Sequence, residues 1–280
     1  MHDPILYYIL IGILAGILGS MVGLGGGIIM VPALTILLGV DIKNAISASL
    51  ISLVATSVIA VSAFAKKQLV HFKLGLILES TTILGSFAGS YIGVYLDSKI
   101  LMILFASLMV VAALMLLRNL KTDSDDVVYD SKVSDDKERF FDITGKYFSE
   151  HSNESLPFKV KRVPFIIGFS TFAGAISGML GVGGGIIKVP MIHLIGGVPI
   201  KVASATSSFM IGFTGLAGAI VYFVHGQFDV VMTSSLIIGI IGGSYVGSKI
   251  AIKIKSKVLI IVLLLVLIYT AFRMFMKVAG

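Results

Sequence analysis

Cysteine and tryptophan are absent from this chain of 280 residues, prolines number six, and charged residues make up only 13% of it. Without cysteine there is no disulfide framework, no thiolate metal site and no thiol nucleophile. So little charge beside 56% hydrophobic residues lies far from the composition of a soluble globular domain. Positive charge is in modest excess, +7. Its lysines are spread over short loops rather than gathered with aromatics on one face, which argues against a nucleic-acid partner. No group of His, Asp or Glu has metal-ligand spacing, and no nucleophile has a base at a recognisable offset, so no catalytic residue, metal or cofactor is expected.

What is present is apolar sequence in blocks of about 20 residues, the length that crosses ~30 Å of hydrocarbon as a helix. None alternates with period two as an outer-membrane strand does. The chain therefore reads as an all-α, multi-pass integral membrane protein of the cytoplasmic membrane. Met1-His2-Asp3-Pro4 lacks the basic region and cleavage site of a signal peptide, so the first apolar block is expected to remain in the mature protein.

"GLGGGIIMVP" at 23–32 returns as "GVGGGIIKVP" at 181–190, an offset of 158 residues that persists without a gap through most of both halves. Gly39-Val40 falls on Gly197-Val198, Lys43 on Lys201, Ser49 on Ser207, Gly85-Ser86 on Gly243-Ser244 and Gly89-Ser90 on Gly247-Ser248. Two homologous membrane repeats, 1–118 and 164–280, are thus joined by a polar linker, 119–163. The linker carries Asp123, Asp125, Asp126, Asp135 and Asp136, and a short amphipathic helix is expected around "KERFFDITGKYF" at 137–148.

Each repeat reads as five apolar segments: 5–21, a short 28–38, 45–65, 74–96 and 100–117, answered by 165–180, a short 186–195, 202–224, 230–248 and 258–276. An odd count inverts the second repeat. Loop charge agrees, because cytoplasmic loops are enriched in Lys and Arg. The loop holding Lys66, Lys67 and Lys73 is basic in the first repeat, whereas its equivalent around His225–Asp229 has no Lys or Arg. The next loop, with Lys249, Lys253, Lys255 and Lys257, is basic instead. Inverted halves, a cytoplasmic linker and both termini outside fit this pattern, although Arg273 and Lys277 oppose the last. The short segments either cross or re-enter.

Glycine costs about 1 kcal/mol in a helix interior relative to alanine, so three in a row unwind the chain locally. Inside a membrane that is tolerated only where the freed backbone is buried in protein or lines a cavity. The short helices restart at Ile28 and Ile186 with unpaired N–H groups and a partial positive charge. Converging near the midplane, the two starts would make an anion site of the kind found in inverted-repeat secondary transporters. Close helix packing is the alternative reading of these glycines. It is the preferred one for Gly12/Gly16, Gly85/Gly89/Gly93 and Gly243/Gly247, whose spacing suits packing within the chain or in a homodimer.

"GLGGGIIMVPALTILLGV" and "GVGGGIIKVPMIHLIGGV", each followed by a lysine-alanine and hydroxyl stretch, "KNAISASL" and "KVASATSS", resemble the sulfite exporter TauE/SafE family of membrane transporters. The resemblance covers roughly residues 5 to 118 and 164 to 276. It implies movement of a small anion, typically sulfite, a sulfonate or thiosulfate, across the cytoplasmic membrane. Ala48-Ser49 departs from the Thr-Ser pair that the second repeat keeps at Thr206-Ser207, which puts equal use of the two halves in doubt.

An oxyanion needs donors. The candidate substrate-binding set comprises Gly25, Gly26, Gly27, Gly183, Gly184 and Gly185 through their N–H groups, Ser49, Thr206 and Ser207 through their hydroxyls, and Lys188. Satisfying helix carbonyls is the alternative reading of the hydroxyls. Lys188 within a membrane segment is a functional residue by default, unless it snorkels to an interface. Its candidate partner is Glu79, which faces three readings: a counter-charge for Lys188, a proton-coupling site, or a surface residue paired with Lys73. His193 reads as a packed or interfacial histidine rather than a ligand. A secondary transporter with a proton or sodium as coupling ion is the leading function; an anion channel, or a scaffold or sensor acting through the linker, are the alternatives.

Overall fold

The structure, a computed structural model, describes residues 4–22, 25–121, 143–149, 154–251 and 256–279. Helices α1 (Pro4–Val22), α2 (Gly27–Leu37), α3 (Ile42–Ala65), α4 (Phe72–Tyr95) and α5 (Ser98–Lys121) form the first repeat. The second comprises α6 (Val163–Leu180), α7 (Gly185–Pro190, continued by a π-helical turn at Met191–Ile195), α8 (Ile200–Val224), α9 (Val230–Ala251) and α10 (Ser256–Ala279). The helices of the two sets correspond in order at an offset of about 158 residues. Among the described residues six helices are long and apolar enough to cross a membrane, and the chain is a multi-pass α-helical membrane protein. The segments Gly27–Leu37 and Gly185–Ile195 are shorter. At ~1.5 Å per residue each spans about half of the hydrocarbon thickness.

The fold is not wholly helical. Strands β1 (Thr144–Ser149) and β2 (Glu154–Lys159) pair antiparallel, with Gly145 opposite Phe158 and Thr144 opposite Lys159. The amphipathic helix expected at 137–148 is therefore corrected in its second part, which is a strand; 137–142 lie outside the described residues, as do Asp123, Asp125, Asp126, Asp135 and Asp136. The cause is tertiary burial. Ile143, Phe158 and Val160 pack with Leu74 and Leu78 of α4, Val163 and Ile166 of α6 and Ile192 of the π turn. Val160 N–H donates to Ile143 O and Lys161 N–H to Gly196 O, closing the hairpin onto the second repeat.

Helix pairing interlocks the repeats. Gly12 and Gly16 of α1 rest on the backbone of Leu236 and Ile240, and Gly243 and Gly247 of α9 rest on Ile13 and Ile17. The equivalent contacts bring Gly85 and Gly89 of α4 onto Thr171 and Ala175 of α6, and Gly174 and Gly178 of α6 onto Thr82 and Ser86. Residue numbers rise together along both contacts, so each pair runs in the same direction. These glycine faces are consumed within one chain, which removes them as the basis for a homodimer. The equivalent helices α3 and α8 meet differently: Ser57 lies on Ser208 and Gly212 while Leu50 lies on Gly215, so they cross antiparallel.

Candidate functional site

The two glycine breaks meet at the centre of this interlock. Gly25 and Gly26 adopt φ of 84° and 76°, and Gly183 and Gly184 adopt 73° and 71°, a left-handed backbone that a residue with a side chain enters at a cost of roughly 1–2 kcal/mol. Gly25 and Gly183 are both walled by Leu53 of α3 and Ile211 of α8, themselves equivalent residues of the duplication. Gly27 abuts Gly181 O, and the Ser49 hydroxyl donates to that same carbonyl at 2.7 Å. Gly23 and Leu24 lie outside the described residues.

The breaks leave donors. Ile29 and Met30 N–H return to Gly26 O, and Ile187 and Lys188 N–H to Gly184 O. The N–H groups of Gly183, Gly184, Gly185 and Ile186, and those of Gly26, Gly27 and Ile28, find no acceptor among the described residues. Gly25 differs from the expected donor set because its N–H is engaged by Gly19 O at 3.3 Å.

Beside the second break stands a buried charged cluster. Lys188, in the first turn of α7, is fully buried, and its Nζ lies 3.3 Å from Glu79 Oε2 and 2.8 Å from Thr214 Oγ1. Thr214 Oγ1 lies 2.5 Å from Glu79 Oε1 and 3.1 Å from Met210 O, either of which can take its proton. Helices α4, α7 and α8 each supply one member. Glu79 is thus held away from the surface and from the exposed Lys73. A lysine ammonium has three protons to donate, and Glu79 and Thr214 use two of them. The nearby Ser177 hydroxyl, buried against Gly184, has no partner among the described residues.

The remaining candidates separate. Ser207, the counterpart of Ser49, is buried without a hydrogen-bond partner among the described residues. Thr206 Oγ1 accepts the His71 N–H at 3.0 Å, so it braces the loop before α4. His193 is buried with Nδ1 at 2.8 Å from Val198 O, a packed histidine. Thr214 was not among the sequence candidates. Its signal was available, since Thr56 occupies the equivalent position of the first repeat.

A polytopic helical bundle with two facing helix breaks and a buried lysine–carboxylate pair belongs to the class of membrane transport proteins. The chain belongs to the sulfite exporter TauE/SafE family, whose profile matches residues 8–274. It is 28% identical over 249 residues to the probable membrane transporter protein YunE of Bacillus subtilis (strain 168), covering 86% of each chain. A probable membrane transporter protein of Xylella fastidiosa (strain 9a5c) is 27% identical over 86% of this chain and 81% of its own. Sulfite exporter TauE/SafE family protein 6 of Arabidopsis thaliana is 34% identical over 79 residues, 28% of this chain and 18% of that one. No solved structure matches.

Proposed function

We propose that this membrane transporter moves a small oxyanion of the sulfite, sulfonate or thiosulfate type across the cytoplasmic membrane by alternating access. The observation that carries the reading is the buried Lys188–Glu79–Thr214 cluster beside a glycine break with unpaired N–H groups. In the empty site Glu79 neutralises Lys188. An arriving anion takes the third ammonium proton and the free N–H groups of 183–186, and weakens the hold of Glu79 on Lys188. Ser49, Thr206 and Ser207 complete the donor set only if helices α3 and α8 shift, since Ser49 already donates to Gly181 O and Thr206 already accepts the His71 N–H.

The two repeats act as inverted halves joined by the linker 119–163. Support comes from the antiparallel crossing of the equivalent helices α3 and α8, which a rotation about the membrane normal would leave parallel. Opposed loop charge in the two repeats supports it independently, although Lys253 and Lys255 lie outside the described residues. Rocking of one half against the other around the joined breaks would then open the site to either side.

The test is uptake of labelled sulfite and thiosulfate, with sulfate and chloride for comparison, into liposomes holding the purified protein. Saturable flux of a sulfur oxyanion, lost in Lys188→Ala and altered in Glu79→Gln, is the expected result. Absence of flux for every anion by folded protein under imposed ion gradients would overturn the reading, and flux that never saturates would point to a channel.

A further inference from the structure

We propose that the first repeat holds a binding site for a monovalent cation, sodium, in a hydroxyl-lined cavity beside its glycine break, and that this ion is coupled to anion movement. The coupling rests on the transporter reading above; the existence of the site does not. The cavity lies where α1, α3 and α8 meet and is lined by Ser20, Gly25, Thr56, Ser57, Ser208 and Ile211 among others. The space between atoms there amounts to about 170 Å³, part of it open to the surroundings, and it has no room for a water molecule. A dehydrated sodium ion is smaller than water.

Its chemistry selects a cation. A hydroxyl has one proton to donate and two lone pairs to accept with. All four hydroxyls of the lining spend that proton on a backbone carbonyl: Ser20 on Gly16 O at 2.7 Å, Thr56 on Ser52 O at 3.2 Å, Ser57 on Ser208 O at 2.7 Å and Ser208 on Ser204 O at 3.0 Å. The Gly25 N–H is likewise taken, by Gly19 O. What the side chains can offer a ligand is oxygen lone pairs. An anion finds no donor here, and a divalent cation would require carboxylates, of which the lining has none. Neutral oxygens beside an unwound membrane helix suit a monovalent ion.

The duplication supplies a second, independent observation. Thr214 and Ser177 are the equivalents of Thr56 and Gly19, which also borders the cavity. In the second repeat a cation is built into that place: the Lys188 ammonium sits 2.8 Å from Thr214 Oγ1, with its side chain against Gly184, which Ser177 also flanks. The first repeat has the uncharged Met30 in the position of Lys188. Conversely, Ser20 and Ser57 of the cavity become Gly178 and Gly215 in the second repeat. The half that carries a tethered ammonium lacks two hydroxyls, and the half without it has them. Ile211 lines the cavity and also walls Gly183, so a bound ion would press on the residue shared by both breaks.

The experiment is equilibrium binding of ²²Na⁺ to the purified full chain in detergent, with choline as background, for wild type, Thr56→Val, Ser20→Ala and Met30→Lys. Expected are saturable binding by wild type, affinity lower by about tenfold or more in Thr56→Val and Ser20→Ala, and no binding in Met30→Lys, where a tethered ammonium takes the place of the ion. Thr56→Val keeps shape; should it fail to fold, Ser20→Ala carries the same test. No saturable ²²Na⁺ binding by folded wild type overturns the proposal, and so does binding unchanged in these variants. Because no anion is present, a failure here leaves the anion-transport reading standing. Binding of ²²Na⁺ without anion flux in liposomes would instead overturn that reading and keep the site.

Discussion

The two repeats share a backbone plan but not a charge plan. At the same helical position, the fourth residue of each short helix, the first has Met30 and the second Lys188. In the fourth helix the first has Glu79 where the second has Ile237. Because the halves interlock, α4 of the first repeat packs on α6 and α8 of the second, and the two odd residues end up 3.3 Å apart. The internal symmetry therefore persists in packing and is broken in electrostatics. One of the two equivalent sites is a charged cluster; the other is neutral and rich in hydroxyls.

Removing the break in symmetry should have the largest effect. Glu79→Leu leaves the Lys188 ammonium buried without its counter-charge, at an expected cost of about 3–5 kcal/mol. The double variant Lys188→Met with Glu79→Ile, which gives each position the residue its equivalent carries in the other repeat, should recover most of that loss while abolishing anion uptake. Thermal unfolding in detergent reads the stability, and no recovery in the double variant would show that the cluster does more structurally than balance charge.

Packing symmetry is tested by Gly89→Val in α4 against its equivalent Gly247→Val in α9. A side chain at either meets a facing backbone, that of Ala175 or Ile17, and similar losses of about 1–3 kcal/mol are expected. Tolerance of one and not the other would show that the two crossings are not equivalent. The smallest contrast lies in the hydroxyls. Ser49→Ala gives up the hydrogen bond to Gly181 O, worth about 1 kcal/mol, whereas Ser207→Ala gives up none among the described residues and should be close to neutral. A stability loss at Ser207 equal to that at Ser49 would break this distinction.

Much of this arrangement was legible from residue order. The offset of 158 residues located every helix pair, and the runs of glycine marked where helices had to stop, because local backbone preference acts without regard to distant partners. Glu79 and Lys188 stood out as charges in apolar blocks, a rarity that pointed each toward the other. Thr214 was less visible, since a threonine in a membrane helix ordinarily bonds its own backbone, as Thr56 does to Ser52 O. The hairpin was misread. Lys137–Phe148 has a plausible helical face in isolation, and only burial of Ile143 and Phe158 against α4 and α6 makes a strand pair the better solution for its end.

Sequence by itself determined the solvent, the duplication, the helix breaks and the two unmatched charges, because hydropathy, glycine and periodicity are properties of the chain at short range. Tertiary structure decided which helix of one repeat lies against which helix of the other, that the breaks face each other across Leu53 and Ile211, and that the α7 lysine meets the α4 carboxylate and the α8 threonine. Those outcomes depend on close backbone approach at Gly85, Gly89, Gly243 and Gly247 between segments far apart in sequence, and on contacts that exist only once the halves have interlocked.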